Sequence, residues 1–160
     1  MTFPTFIAVD VETTLNGNED VGLAHPMHPD NRAVYVGISD SSGKAHVYET
    51  FHTPGLAEIA IGGYTPYATY CGHNFSFDML YLFRLSHKFK HVIQEAKIWD
   101  TQLAEYILTG QRSKFSSLDE LATKYGYPLK EDKIKQYFQA GLGSEKIPPE
   151  ELIPYLKQDV

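Results

Sequence analysis

Five side chains in this sequence have the types and spacing to do chemistry together. Asp10 and Glu12 stand in IAVDVETT, Asp78 in GHNFSFD, and Tyr155 and Asp159 in YLKQD. Carboxylates repel one another, so a fold that gathers four of them must bring in positive charge. A pair of divalent cations supplies it economically. Two such ions, held by carboxylates and water, are suited to cleaving a phosphodiester bond.

Each motif has a plainer reading when taken alone. Asp10 and Glu12 alternate with Val9 and Val11, so both acids point to one face of a strand. A solvated strand end would also tolerate them. Asp78 falls in the first turn of a helix, where a carboxylate favours the positive end of the dipole. His73 and Asn74 precede it in a turn, where they can hydrogen-bond the turn or meet a phosphate or sugar. Tyr155 and Asp159 are four apart and share one helix face. A phenol there can orient a water, or it can simply pack on the core.

The elements that must position these residues are legible in outline. Phe6–Val11 reads as a buried strand, followed by a long polar loop over Leu15–Arg32. Ala33–Ser39 and Ala45–Phe51 flank the turn SSGK and read as a hairpin. Leu56–Ile61 has the pattern of a short helix, Thr69–Gly72 of a strand, Phe77–Leu85 of a helix, and Ala96–Trp99 of a further strand. Asp100 or Thr101 caps a helix through Leu108, ended by Gly110. Ser117 and Glu120 form a capping box for LDELATKY. Lys130–Ala140 reads as a helix stopped by Gly141 and Gly143, and Pro148 and Pro149 open a last helix. Together these predict an α/β domain with a mixed sheet.

Bulk properties narrow the classes. The chain has 160 residues with 42% hydrophobic and 21% charged, enough for one domain with a real core. One cysteine, Cys71, excludes an internal disulfide, suits a reducing compartment and reads as core. No stretch is apolar for ~18 residues, which argues against a membrane span, and the N-terminus lacks the pattern of a signal peptide. The net charge of −6 disfavours extensive phosphate contacts, although carboxylates reserved for cations inflate it. Weak, transient nucleic-acid binding is expected, which tethering to a stronger binder would offset. His25, His28 and Asp30 lack a fourth ligand for zinc. Lys130, Lys133 and Lys135 read as a solvated helix face.

The three motifs in this order resemble those of the DEDD exonuclease superfamily. More narrowly, the chain is similar to its tyrosine branch, found in the proofreading domains of family A DNA polymerases and in RNase D. The histidine branch would place His where Pro154 stands. WDTQLAEYIL and SLDELATKYGY resemble the linking helices, so the likeness spans nearly the whole chain. It implies the RNase H-like fold, a mixed β-sheet flanked by α-helices. It implies two Mg²⁺ ions, replaceable by Mn²⁺, with Asp10, Glu12 and Asp159 as direct ligands and Asp78 acting through water. Tyr155 would stand beside the attacking water. Thr13 and Leu15 follow the first motif, where the family contacts the terminal nucleotide; His73, Asn74 and Phe77 lie beside the second carboxylate and are further candidate substrate contacts, with Phe77 also suited to the core.

The expected function is 3′–5′ exonuclease action on single-stranded DNA ends, with RNA possible, yielding nucleoside 5′-monophosphates. The alternatives are an RNase D-like exoribonuclease and a non-catalytic nucleic-acid-binding or structural domain. The resemblance also implies a linked or associated DNA polymerase and a bacterial or virus-infected cytoplasm. In the family the last helix runs past the final aspartate, so residues 1–160 are expected to be one exonuclease domain cut from a longer polymerase-like chain.

Overall fold

The structure, a computed structural model, describes residues 6–17, 22–53, 55, 68–112, 114–129 and 133–160. The helix expected over 56–61 and Lys130 lie outside the described residues. Five strands form one sheet: β1 (Phe6–Thr13), β2 (Ala33–Asp40), β3 (Ala45–Glu49), β4 (Thr69–Gly72) and β5 (Lys97–Asp100). Their order is β3-β2-β1-β4-β5. β1–β2 and β2–β3 are antiparallel, as a hairpin requires, whereas β1–β4 and β4–β5 are parallel. A parallel partner needs a crossover connection, which α1 (Phe75–Leu85) and α2 (His87–Glu95) supply between β4 and β5. The result is the mixed α/β sheet that the sequence implied.

The helices among the described residues are α1 (Phe75–Leu85), α2 (His87–Glu95), α3 (Thr101–Leu108), α4 (Leu118–Tyr125), α5 (Lys133–Gln139) and α6 (Pro149–Asp159). A 3₁₀ turn covers Ser144–Lys146. Both faces of β1 are used. Ile7, Val9 and Val11 are buried with Tyr81 and Leu82 of α1 and Phe89 and Ile93 of α2. The opposite core joins Val34 and Tyr35 to Ile134, Ile147, Leu152 and Leu156. Burying each such side chain stabilises the fold by about 1.5–3 kcal/mol. The strand period of two therefore sends valines to one core and leaves Asp10 and Glu12 on the α6 face.

Several boundaries differ from expectation, each for a local reason. α1 begins at Phe75, two residues early, because Asn74 takes a left-handed conformation (φ 56°) and starts the helix there. α2 was not expected. Ser86 caps it by accepting a hydrogen bond from the Phe89 N–H. β3 stops at Glu49, whose carboxylate accepts from the His52 N–H at 3.0 Å and turns the chain. α6 runs through Pro154, although that ring removes one helical hydrogen bond.

Candidate metal centre

β1 carries Asp10 and Glu12 at the centre of the sheet, opposite Gly37 and Tyr35 of β2. The register shifts between Glu12 and Thr13, which oppose Tyr35 and Ala33. Such irregularities re-aim side chains next to sites. α6 crosses this face close to β2, because Gly37 has no side chain. A Cβ on Gly37 would lie 2.9 Å from Leu156 Cγ. Tyr155 flanks Leu156, and Asp159 follows one helical turn after Tyr155. Seating Leu156 thus brings both residues to the acids of β1. Ligand oxygens of Asp10, Glu12 and Asp159 all lie within 4.8 Å of one another. Among the described residues this is the one such group of metal-ligating side chains.

Asp78 reaches the same place from the other side of the sheet. β1 pairs with β4 only over Phe6–Ala8. Farther along β1, Asp78 Oδ1 accepts from the Val11 N–H at 3.0 Å, in place of a strand partner. Asp78 is 2% exposed. Burial pushes its carboxyl well above the usual carboxylate range, and repulsion from Asp10 and then Glu12 pushes it the same way, against the Val11 hydrogen bond. The Tyr155 phenol is also pushed up, chiefly by burial and then by the charges of Glu12 and Asp10. A cluster this crowded with negative charge favours a cation.

One residue missed by sequence reasoning fixes the helix that carries Asp78. Asp100 was read only as a possible cap for α3. Its carboxylate accepts from the N–H groups of Gln102 and Leu103, at 2.9 and 3.3 Å. It also accepts from those of Asn74 and Phe75 at the start of α1, at 3.1 and 2.9 Å. Four donors from two helices converge on one side chain. A second missed residue is Asn31, fully buried. Its Oδ1 accepts from the Thr14 hydroxyl and the Asn16 N–H, and its Nδ2 donates to the carbonyls of Leu23 and His25. Asn31 therefore knots the polar loop that follows the first motif. No sequence signal distinguishes it from an ordinary loop asparagine.

The expected substrate contacts differ in exposure and partners. Thr13 is buried and Leu15 half-buried, directly after the two acids of β1. Asn74 is exposed. Phe77 packs against the core, with its ring 5.2 Å from that of Tyr81. His73 has protein partners at both nitrogens: Nε2 donates to the Ser116 carbonyl at 2.9 Å, and Nδ1 lies 3.1 Å from the Thr101 hydroxyl. It ties the β4–α1 turn to the segment before α4. Lys133 pairs with Glu151 at 2.8 Å and Lys135 with Asp119. A cleft of about 370 Å³ opens beside Tyr155, lined also by Lys133, Ile134, Glu151 and Gln158.

Other chemical candidates resolve into structural roles. His25 Nδ1 accepts from the Met27 N–H and His28 Nδ1 from the Asp30 N–H. Cys71 is half-buried, its thiol is pushed up by burial, and Sγ donates to the Ile7 carbonyl at 3.5 Å.

A five-stranded mixed sheet flanked by helices, with carboxylates of its central strand and of α6 gathered together, is an RNase H-like fold. Residues 63–160 match the family described as 3′-5′ exonuclease, and the chain belongs to that family. The matched span includes Asp78, Tyr155 and Asp159 and starts after β1. No curated protein matches the sequence significantly. A solved family B DNA polymerase from the hyperthermophilic archaeon Pyrobaculum calidifontis is similar over 99% of the chain, with a TM-score of 0.59 and 16% identity. That likeness concerns the fold, and the chain spans 23% of the polymerase's length. Among the described residues no helix is long and apolar enough to cross a membrane.

Proposed function

We propose that this chain is a metal-dependent exonuclease domain that removes nucleoside 5′-monophosphates from single-stranded DNA 3′ ends, in the service of polymerase proofreading. The observation that carries the reading is the convergence of Asp10, Glu12 and Asp159 within 4.8 Å, with Asp78 against the same strand. The donors are all hard oxygens, a set that suits two Mg²⁺ ions and tolerates Mn²⁺. Asp10, Glu12 and Asp159 would hold the cations directly and Asp78 through water. Bound there, such cations lower the pKa of water and offset charge on the phosphoryl group.

The chain's own side chains do the rest. Tyr155 keeps its proton through the neutral range, because burial and the neighbouring acids raise its phenol. It therefore orients the attacking water as a hydrogen-bonding group rather than as a phenolate base. The cleft lined by Tyr155, Lys133 and Gln158 gives a terminal nucleotide room beside that phenol. Thr13, Leu15 and Asn74 are the substrate contacts of this reading, with His73 tying down the β4–α1 turn and Phe77 packed on the core. In this reading one exonuclease domain works beside a polymerase, and a single cysteine suits a reducing cytoplasm. The acidic balance favours such a tethered DNA enzyme over a free RNA enzyme.

The test is incubation of the chain with labelled single-stranded DNA and RNA of one sequence, in Mg²⁺, Mn²⁺ or EDTA. Metal-dependent release of mononucleotides from the 3′ end is expected, with DNA degraded at least as fast as RNA. Asp10→Ala should lower the rate by orders of magnitude while far-UV circular dichroism stays unchanged. An undiminished rate removes Asp10 from the mechanism, and faster RNA degradation favours the exoribonuclease reading.

A further inference from the structure

We infer that Ser144 is a positioning residue for Glu12, holding that carboxylate in the orientation that meets a divalent cation. The assignment rests on the metal-dependent reading above. Ser144 Oγ donates to Glu12 Oε2 at 3.1 Å, and the two residues are 132 apart in sequence. Both are buried, Ser144 at 1% exposure and Glu12 at 7%. A glutamate side chain has three rotatable bonds, and its terminal torsion is soft. A hydroxyl donor on one oxygen removes that freedom, and a hydrogen bond to a charged acceptor is stronger than a neutral one. Donors behind metal-binding carboxylates tune both orientation and affinity.

The turn that presents Ser144 is anchored at both ends. Ile147 is buried with Leu152 and Leu156 in the core beneath α6. Gly143 lies so close to the chain leaving β1 that a Cβ would sit 2.9 Å from the Leu15 backbone nitrogen. The Lys146 N–H closes the turn by donating to the Gly143 carbonyl at 2.9 Å. Ser144 thus reaches Glu12 from a seat fixed by α6 on one side and β1 on the other. The same seat joins the carboxylate of the first motif to the helix carrying the last. A buried serine that only satisfies its own hydroxyl would make the same contact, so the decisive measurement is metal affinity.

Mn²⁺ alone is the probe, titrated into the purified chain and followed by the electron paramagnetic resonance of the free ion. Ser144→Ala should weaken Mn²⁺ binding roughly 10- to 100-fold, the span seen for such supporting residues. Its melting temperature in EDTA should fall only by the few degrees that losing one buried hydrogen bond brings. Ser144→Thr, which keeps the hydroxyl, should recover affinity. Combined with Glu12→Gln, Ser144→Ala should add little further loss, since its effect passes through Glu12. Parent-like Mn²⁺ affinity in Ser144→Ala, or full additivity in the double variant, overturns the assignment. Parent-like affinity in Asp10→Ala would instead remove the metal-binding reading, and this assignment with it.

Discussion

At the scale of single residues, the site is a balance between burial and charge. Asp78 is the clearest case, because burial and its acidic neighbours raise its carboxyl in the folded chain. The unfolded chain then releases this proton first as pH rises, so the folded state is penalised above the ordinary carboxylate range. In EDTA, stability should therefore fall as pH rises from about 4 through the raised titration of Asp78. Asp78→Asn should flatten that fall and melt higher than the unaltered chain at neutral pH, as read by thermal denaturation across pH. A steeper fall in the variant would contradict this account. Tyr155 carries a different expectation. In the proposed mechanism its phenol orients rather than ionises, so Tyr155→Phe should cost about 10²-fold in kcat, the low end for a proton-handling side chain. Single-turnover rates should place that loss below the loss in Asp10→Ala. Equal losses would mean the phenol does more than position water.

At the scale of elements, the seat of α6 decides whether the four carboxylates meet. Leu156 is fully buried and lies against Gly37, the residue of β2 opposite Asp10. Gly37→Ala would place a methyl 2.9 Å from Leu156 Cγ and 3.0 Å from its Cδ1. Overpacking of this kind costs about 1–3 kcal/mol. Because Tyr155 and Asp159 ride on the same helix, the variant should lose nuclease rate out of proportion to its lost stability. The check is to compare kcat with the denaturant midpoint of the same protein. A stability loss with no change in rate would show that α6 moves without disturbing the site. Asp100 has the matching role on the other side, tying the start of α1 to α3 through four N–H groups.

At the scale of the whole molecule, a net charge of −6 works against an anionic strand. Lys133, the lysine that lines the cleft, is already paired with Glu151. The isolated chain should therefore bind single-stranded DNA weakly, with Kd above about 10⁻⁶ M at physiological salt and a shallow salt dependence. Fluorescence anisotropy of a labelled oligonucleotide, with the Asp10→Ala chain in EDTA and a salt series, reads both quantities. Nanomolar affinity would mean a basic surface that the charge balance does not suggest. Weak binding suits an enzyme held beside its substrate by a partner, where effective concentration replaces intrinsic affinity.

Legible in the sequence were the class of fold and which of the acidic residues share a face of one element. Alternation placed Asp10 and Glu12 on one strand face, helical spacing placed Tyr155 with Asp159, and strand and helix patterns implied a mixed α/β sheet. These are local properties, because periods of two and 3.6 residues follow from backbone geometry alone. The tertiary structure decided which distant groups support them. The bond from Ser144 to Glu12, the capture of the Val11 N–H by Asp78, the double capping by Asp100 and the clearance at Gly37 all join segments far apart in sequence. A serine, an asparagine or a glycine carries no mark of its partner until the chain has folded. Such contacts arise from packing, and packing depends on every element at once.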